Sequence, residues 1–202
     1  MRMKQLGFRF GARATDSKRG GKRKGAGRKP KGPRAGVSHL TRERFRRPFP
    51  VHVTVRMAEH VYNLRSNRCF SALSRALVAA AERFGVRIVQ FSVLGNHVHL
   101  VVEASSNESL SKAMKGLSVR VARQLNRVMH RRGRVVGDRY HAHVLRTPTE
   151  TRRAVRYVRT NAAHHGFASV AARDPFTSPI DAVPLPAPKT WLLNEGWRRA
   201  PS

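Results

Sequence analysis

The chain has 202 residues, with 41 Lys and Arg against 11 Asp and Glu, for a formal charge of +30. A chain this basic repels itself unless it works against a polyanion, which points to nucleic acid as the partner. No apolar run approaches the roughly 20 residues a spanning helix needs, no apolar stretch follows the charged segment Met1 to Phe8 as it would in a secretory signal, and a lone Cys69 leaves neither an internal disulfide nor a thiolate zinc cage. Together these features predict a cytoplasmic, nucleoid-associated protein without a membrane partner, built as one domain with tails.

Residues 1–47 hold few aliphatics, and Ser17 to Arg34 is almost wholly basic, Gly or Pro. Such a stretch cannot bury enough apolar surface to offset its ordering entropy and is expected to be a disordered basic arm. Within it Gly27-Arg28-Lys29-Pro30 resembles an AT-hook, so Arg28, Lys29 and Lys31 are candidate DNA contacts, either in a minor groove or along phosphates without base preference. After Pro48-Phe49-Pro50, Val51, Val53 and Val55 alternate with His52, Thr54 and Arg56 as a half-buried strand does. A polar connector, Ala58 to Arg68, precedes a first helix with Phe70, Leu73, Ala76, Leu77, Ala80 and Phe84 on its apolar stripe and Gly85 at its close. In the next strand, Arg87 to Leu94, Val89, Phe91 and Val93 form the alternating set, and Gly95-Asn96 is a two-residue hairpin signal.

The strand after that turn begins His97-Val98-His99-Leu100-Val101-Val102. Successive strand side chains point to opposite faces, so Val98, Leu100 and Val102 share one face while His97 and His99 project from the other, their Cα atoms about 7 Å apart. That spacing lets both imidazoles reach one divalent ion; it also suits an amphipathic strand with a polar outer face. A second helix follows from the caps Ser105-Ser106-Asn107 to about His130, with Leu110, Ala113, Met114, Leu117, Val121, Leu125 and Val128 on one face. Its Arg120, Arg123 and Arg127 are either a solvated face or a track for a DNA backbone. Arg139 opens an edge strand reaching Arg146 and joins the candidate DNA contacts, and Pro148 and Glu150 open a third helix that Gly166 ends. Beyond it the chain is Pro-rich up to Trp191, Leu192, Leu193 and Trp197, a short cluster suited to docking on the domain, or to stacking on bases. The order strand, helix, strand, strand, helix, strand, helix predicts an α+β, ferredoxin-like sandwich: an antiparallel sheet with helices on one face. The expected organisation is thus an arm at 1–47, a domain at 48–168 and a tail at 169–202.

Gly95-Asn96-His97-Val98-His99-Leu100-Val101-Val102, followed by Arg156-Tyr157-Val158-Arg159-Thr160-Asn161-Ala162-Ala163-His164-His165-Gly166, resembles the single-tyrosine HUH transposases, the nearest branch being the REP-associated tyrosine transposases. The likeness spans roughly residues 49–166. It implies a ferredoxin-like fold and a metal-dependent endonuclease and strand transferase acting on single-stranded DNA or hairpin-bearing ends, with Mg²⁺ or Mn²⁺ on His97 and His99. It further implies that Tyr157 is the nucleophile, leaving a 5′-phosphotyrosyl link, and that Asn161 is a metal-binding residue one helical turn later. A phenol with an ordinary pKa near ~10 needs a neighbouring cation and an activated electrophile, and a metal on the two histidines supplies the second. Relatives commonly carry Asn-Pro-Val-Lys-His-Gly where this chain has Asn161 to Gly166, which leaves His164 or His165 as an extra ligand, a phosphate contact or a favourable helix C-cap. His141-Ala142-His143 repeats the spacing beside Tyr140, while Tyr62 sits in a loop. A non-catalytic DNA- or RNA-binding protein is the rival reading of the charge, and homodimer and monomer both remain open.

Overall fold

The computed structural model describes residues 42–61, 63–167, 174–181 and 183–200; Arg28, Lys29, Lys31 and Tyr62, with most of the expected basic arm, lie outside them. Alternating apolar side chains set the sheet. In β1 (Phe49–Arg56) Val51, Val53 and Val55 are buried, and in β4 (His97–Ala104) Val98, Leu100 and Val102 join them. The two strands pair antiparallel with Val53 opposite Leu100. With β2 (Glu82–Arg83), β3 (Val86–Val93) and β5 (His141–Val144) the sheet runs β2-β3-β4-β1-β5, and every neighbouring pair is antiparallel. Without the short β2, this is the strand order of a split βαβ sandwich.

Helices α1 (Asn67–Ala80) and α2 (Asn107–Val128) cover the valine face. Leu73 and Leu77 from the first, and Leu117, Val121 and Leu125 from the second, pack into the same core as Val53 and Leu100. Both start on serine caps: Ser66 Oγ accepts from the Cys69 N–H and Ser106 Oγ from the Ser109 N–H, satisfying donors that the first helical turn leaves orphaned.

The expected α+β sandwich is present, but its helices are not confined to one face. Helix α3 (Pro148–His164) lies on the opposite side of the sheet, where Val155 and Val158 pack on Val101 of β4 together with Leu193. A π-helical turn, Leu192–Gly196, leads into the short α4 (Trp197–Arg199) and holds the chain's C-terminal part against α3. Three other expectations need correction. Phe84 is not on the apolar stripe of α1; the helix stops at Ala80, and Phe84 and Gly85, with φ of 54° and 72°, form the turn that joins β2 to β3. Two central residues at positive φ suit the twist of a two-residue hairpin. A register shift between Ile88 and Gln90 moves Val89 out of the alternation, so it packs with Val101 and α3 while Ile88 enters the main core. The edge strand is also shorter than Arg139 to Arg146. Among the described residues no helix is long and apolar enough to cross a membrane.

Candidate active site on the histidine face

Because Val51, Val53 and Val55 of β1 and Val98 and Val102 of β4 face α1 and α2, the residues between them must face α3. The register places Thr54 opposite His99 and Arg56 opposite His97, while β5 adds His143 opposite His52 and His141 opposite Thr54. The His97 and His99 rings lie 4.9 Å apart at 79°, and His52 stacks on His99 at 5.3 Å. His99 Nδ1 has His52 Nε2 at 3.2 Å and Thr54 Oγ1 at 3.1 Å. The opposite nitrogen, His99 Nε2, is buried with no hydrogen-bond partner among the described residues. His97 Nδ1 lies 2.8 Å from Asn96 Oδ1, leaving its Nε2 for another partner. When the Nδ1 protons point to Thr54 and Asn96, both Nε2 lone pairs stay open, the tautomer a metal-binding histidine adopts.

Helix α3 brings the remaining groups. Thr147 and Glu150 form a reciprocal capping box with Pro148 in the first turn, which fixes where the helix begins and hence its phase. That phase seats the Tyr157 ring edge-on to His99 at 5.2 Å and to His52 at 5.7 Å. Two turns later the His165 ring lies 5.7 Å from His97. With Tyr157 over one histidine and His165 over the other, Asn161, midway along the same stripe, faces the pair. Asn161 is 0% exposed and neither its Oδ1 nor its Nδ2 has a partner among the described residues. A buried amide left unpaired costs on the order of 1–3 kcal/mol. Tyr157, at 39% exposure, opens to solvent instead.

Burial keeps these imidazoles neutral. It pushes His99 down to about 3, helped by His52, His97 and His165; it pushes His97 down to about 4, helped by His165 and Arg56. His52 also falls to about 4 through burial and the nearby His141 and His143. Neutral imidazoles with free lone pairs, a buried unpartnered amide oxygen and an accessible phenol make a donor set suited to a divalent cation beside a nucleophile. Among the described residues no three His, Cys, Asp or Glu side chains converge as a cage, so the fit rests on two imidazoles and an amide.

The histidine face thus brings together His97, His99, Tyr157 and Asn161. His165 joins them at the helix end, where His164 is exposed. His141 and His143 share the face on the exposed edge strand, with His143 Nε2 3.9 Å from Glu150. Tyr140 turns elsewhere: its hydroxyl meets Ser111 of α2 at 3.3 Å, and Arg42 covers its ring at 3.7 Å. Arg120, Arg123 and Arg127 lie on α2, across the sheet from Tyr157, with Arg120 bonded to the Gly116 carbonyl at 3.4 Å. Arg139 is half-buried beside Asp138. Glu103, on the His face, is buried and takes the Lys189 and Thr190 N–H groups and the Thr190 hydroxyl, fixing the C-terminal segment. Sequence reasoning missed His52, a polar residue of an alternating strand with no partner in the local sequence. It also missed Arg153, exposed one turn before Tyr157 on the same helix face; the i, i+4 spacing that picked Asn161 would have found it.

Residues 50–161 match the family model for IS200-like transposases. Among solved structures, the chain is similar to a REP-associated tyrosine transposase bound to a REP hairpin, at 18% identity and a TM-score of 0.57, covering 70% of this chain and 82% of that one. It also aligns with a transposase from Deinococcus radiodurans R1, at 18% identity and a TM-score of 0.43, over 60% of this chain and 97% of that one. No curated protein matches.

Proposed function

As this chain belongs to the family of IS200-like transposases, we propose that it cuts and rejoins single-stranded DNA through Tyr157, on ends that carry a hairpin. The observation that carries this reading is the seating of the Tyr157 ring on His99, with the unpartnered Asn161 one turn further along the same helix face. His97, His99 and Asn161 would hold a Mg²⁺ or Mn²⁺ ion, which would supply positive charge to the non-bridging oxygens of the scissile phosphate. Everything else is done by the chain. The phenol oxygen of Tyr157 attacks phosphorus; the new Oη–P bond forms as the P–O3′ bond breaks, the phenol proton goes to solvent and the departing 3′ oxygen takes a proton. Arg153 and Arg56, both exposed on this face, meet the phosphates on either side of the break. Thr54 and His52 hold the His99 ring in one orientation. The phosphotyrosyl link keeps the phosphodiester's energy, so a 3′-hydroxyl of another strand reverses the step and joins new ends without ATP.

A flexible strand suits this site better than a stiff duplex, because Tyr157 and the histidines meet between a helix and a sheet. The test is a denaturing gel of the protein with one oligonucleotide labelled at either end. A label 3′ to the break should migrate with the protein, and a label 5′ to it should appear on a shorter free strand. Binding with no label retained in either arm is the result that the non-catalytic nucleic-acid-binding reading requires.

A further inference from the structure

A second aromatic cluster lies away from the histidines. Of the exposed aromatic rings among the described residues, Tyr157 stands over His99 and Phe167 lies beside Gly95, next to the turn before His97. Phe84 and Trp191, 54% and 51% exposed, instead line one cavity of about 550 Å³ at the Glu103 end of β4. Both rings are backed by glycine. A Cβ on Gly196 would come within 2.7 Å of the Trp191 ring, and one on Gly116 within 3.4 Å of Phe84. Trp191 follows the two residues whose N–H groups Glu103 accepts, so the backbone that presents the ring is fixed. Phe84 sits at a φ of 54°, a conformation that bulky residues adopt rarely, and the turn between β2 and β3 holds it there.

The cavity's charge is one-sided. Glu82 is tied to Arg87, and Glu103 to Arg87 and the tail, whereas the Arg83 and Lys189 side chains are exposed and have no partner among the described residues. Exposed rings held at fixed positions beside unpaired cations are what a sequence-tolerant single-strand site needs: bases stack on the rings while phosphates meet the cations. Tyr157 stands over His99, and His99 and Glu103 lie roughly 13 Å apart along β4 at about 3.3 Å per residue. A stacked strand at ~3.4 Å per nucleotide covers that span in about four nucleotides.

We propose that the cavity between Phe84 and Trp191 binds the single-stranded flank of the DNA at about four nucleotides from the bond that Tyr157 breaks. Stacking on Trp191 then sets how far a strand must extend for productive binding. The proposal rests on single-stranded DNA being the substrate, so it is tested in full-length protein carrying Tyr157→Phe, where binding is read without cleavage. Ten-residue oligothymidine should quench the tryptophan fluorescence of this protein, and adding Trp191→Phe should abolish the quench, because Trp197 is the other tryptophan and packs against Leu193 and α3. Affinity for the oligonucleotide should fall about 5- to 100-fold in Trp191→Ala and recover to within about threefold in Trp191→Phe. Arg83→Ala with Lys189→Ala should flatten the salt slope by about 1.4, at ~0.7 per phosphate on single strands. Quenching that survives Trp191→Phe, affinity within twofold in Trp191→Ala, or equal quenching by blunt duplex would each overturn the site. If wild-type protein forms no covalent adduct while the Trp191 quench persists, the strand-transfer reading falls and the base-binding cavity stands.

Discussion

The two faces of β4 are made by alternate residues of one strand and do opposite work. Val98, Leu100 and Val102 pack under α1 and α2 in an apolar core, with Leu100 at 0% exposure. His97 and His99 look the other way, under α3, where His99 Nε2 and both polar atoms of Asn161 are buried without partners among the described residues. The first face is satisfied as folded. The second keeps polar groups out of water with nothing to meet them, a condition that costs stability and is tolerated where a ligand completes it. Stability and the proposed chemistry are therefore separable by a shift of one residue along the strand.

Substitutions on the histidine face should have the largest effect on activity and little on folding. His97→Ala or His99→Ala should lower strand cleavage by at least about a hundredfold while DNA binding stays within a few-fold, since phosphate contacts carry most of the affinity. Chelation of divalent ions should reproduce the variants. Cleavage that persists in excess chelator would remove the metal from the mechanism.

On the other face the order reverses. Leu100→Ala should cost about 2–5 kcal/mol by opening a cavity in a closed core, read as a lowered denaturation midpoint, with cleavage per folded molecule retained. Asn161→Leu sharpens the contrast further. Replacing an unpaired buried amide by an apolar group of similar size is neutral or stabilising, so this variant should melt no lower than wild type while cleaving far less. A lower melting temperature would mean that the amide is satisfied in the folded protein.

The faces also differ in what the sequence discloses. Alternation in β1 and β4 is legible because burial of one face repeats every second residue, and the i, i+4 pair Tyr157 and Asn161 is legible because helix geometry alone puts the two on one side. The side of the sheet chosen by α3 is not legible: Val155 and Val158 make an apolar stripe that suits either face, and only the seat offered by Val101 and Leu193 decides. His52 stayed hidden because its role depends on His99, a partner far along the chain. Val89 and Phe84 depart from the alternation and the helix stripe for a local reason, since neither a bulge nor a Phe-Gly turn carries the Asn-Gly or Asp-Gly signature by which hairpins are read.

A smaller effect follows from burial of three neutral imidazoles. His52 and His97 titrate at about 4 in the folded chain and His99 at about 3, against an ordinary 6.5. As pH falls below 6.5 the unfolded chain takes up protons that the folded chain refuses, so stability present above 6.5 should be lost as pH drops toward about 4. Melting temperature followed from pH 8 to 4 checks this, and His52→Asn should make the loss shallower. The smallest expected change on the chemistry comes from deleting residues 1–41. It should flatten the salt dependence of DNA binding by about 0.7 for each phosphate that the arm neutralises, and leave preference among sequences almost unchanged.

If the phenol over His99 attacks the DNA, the covalent adduct can be trapped and its tyrosine identified. Labelled single-stranded substrate is incubated with wild type, Tyr157→Phe and Tyr140→Phe, and the trapped complex is digested and mapped by mass spectrometry. Tyr157→Phe removes one hydroxyl from a solvent-open position and should fold and bind DNA as wild type does. It should form no adduct, Tyr140→Phe should form it normally, and the nucleotide should map to the peptide bearing Tyr157. An adduct that survives Tyr157→Phe and disappears with Tyr140→Phe would rule out Tyr157 as the nucleophile and move the chemistry from the α3 face to the Ser111 side of the sheet.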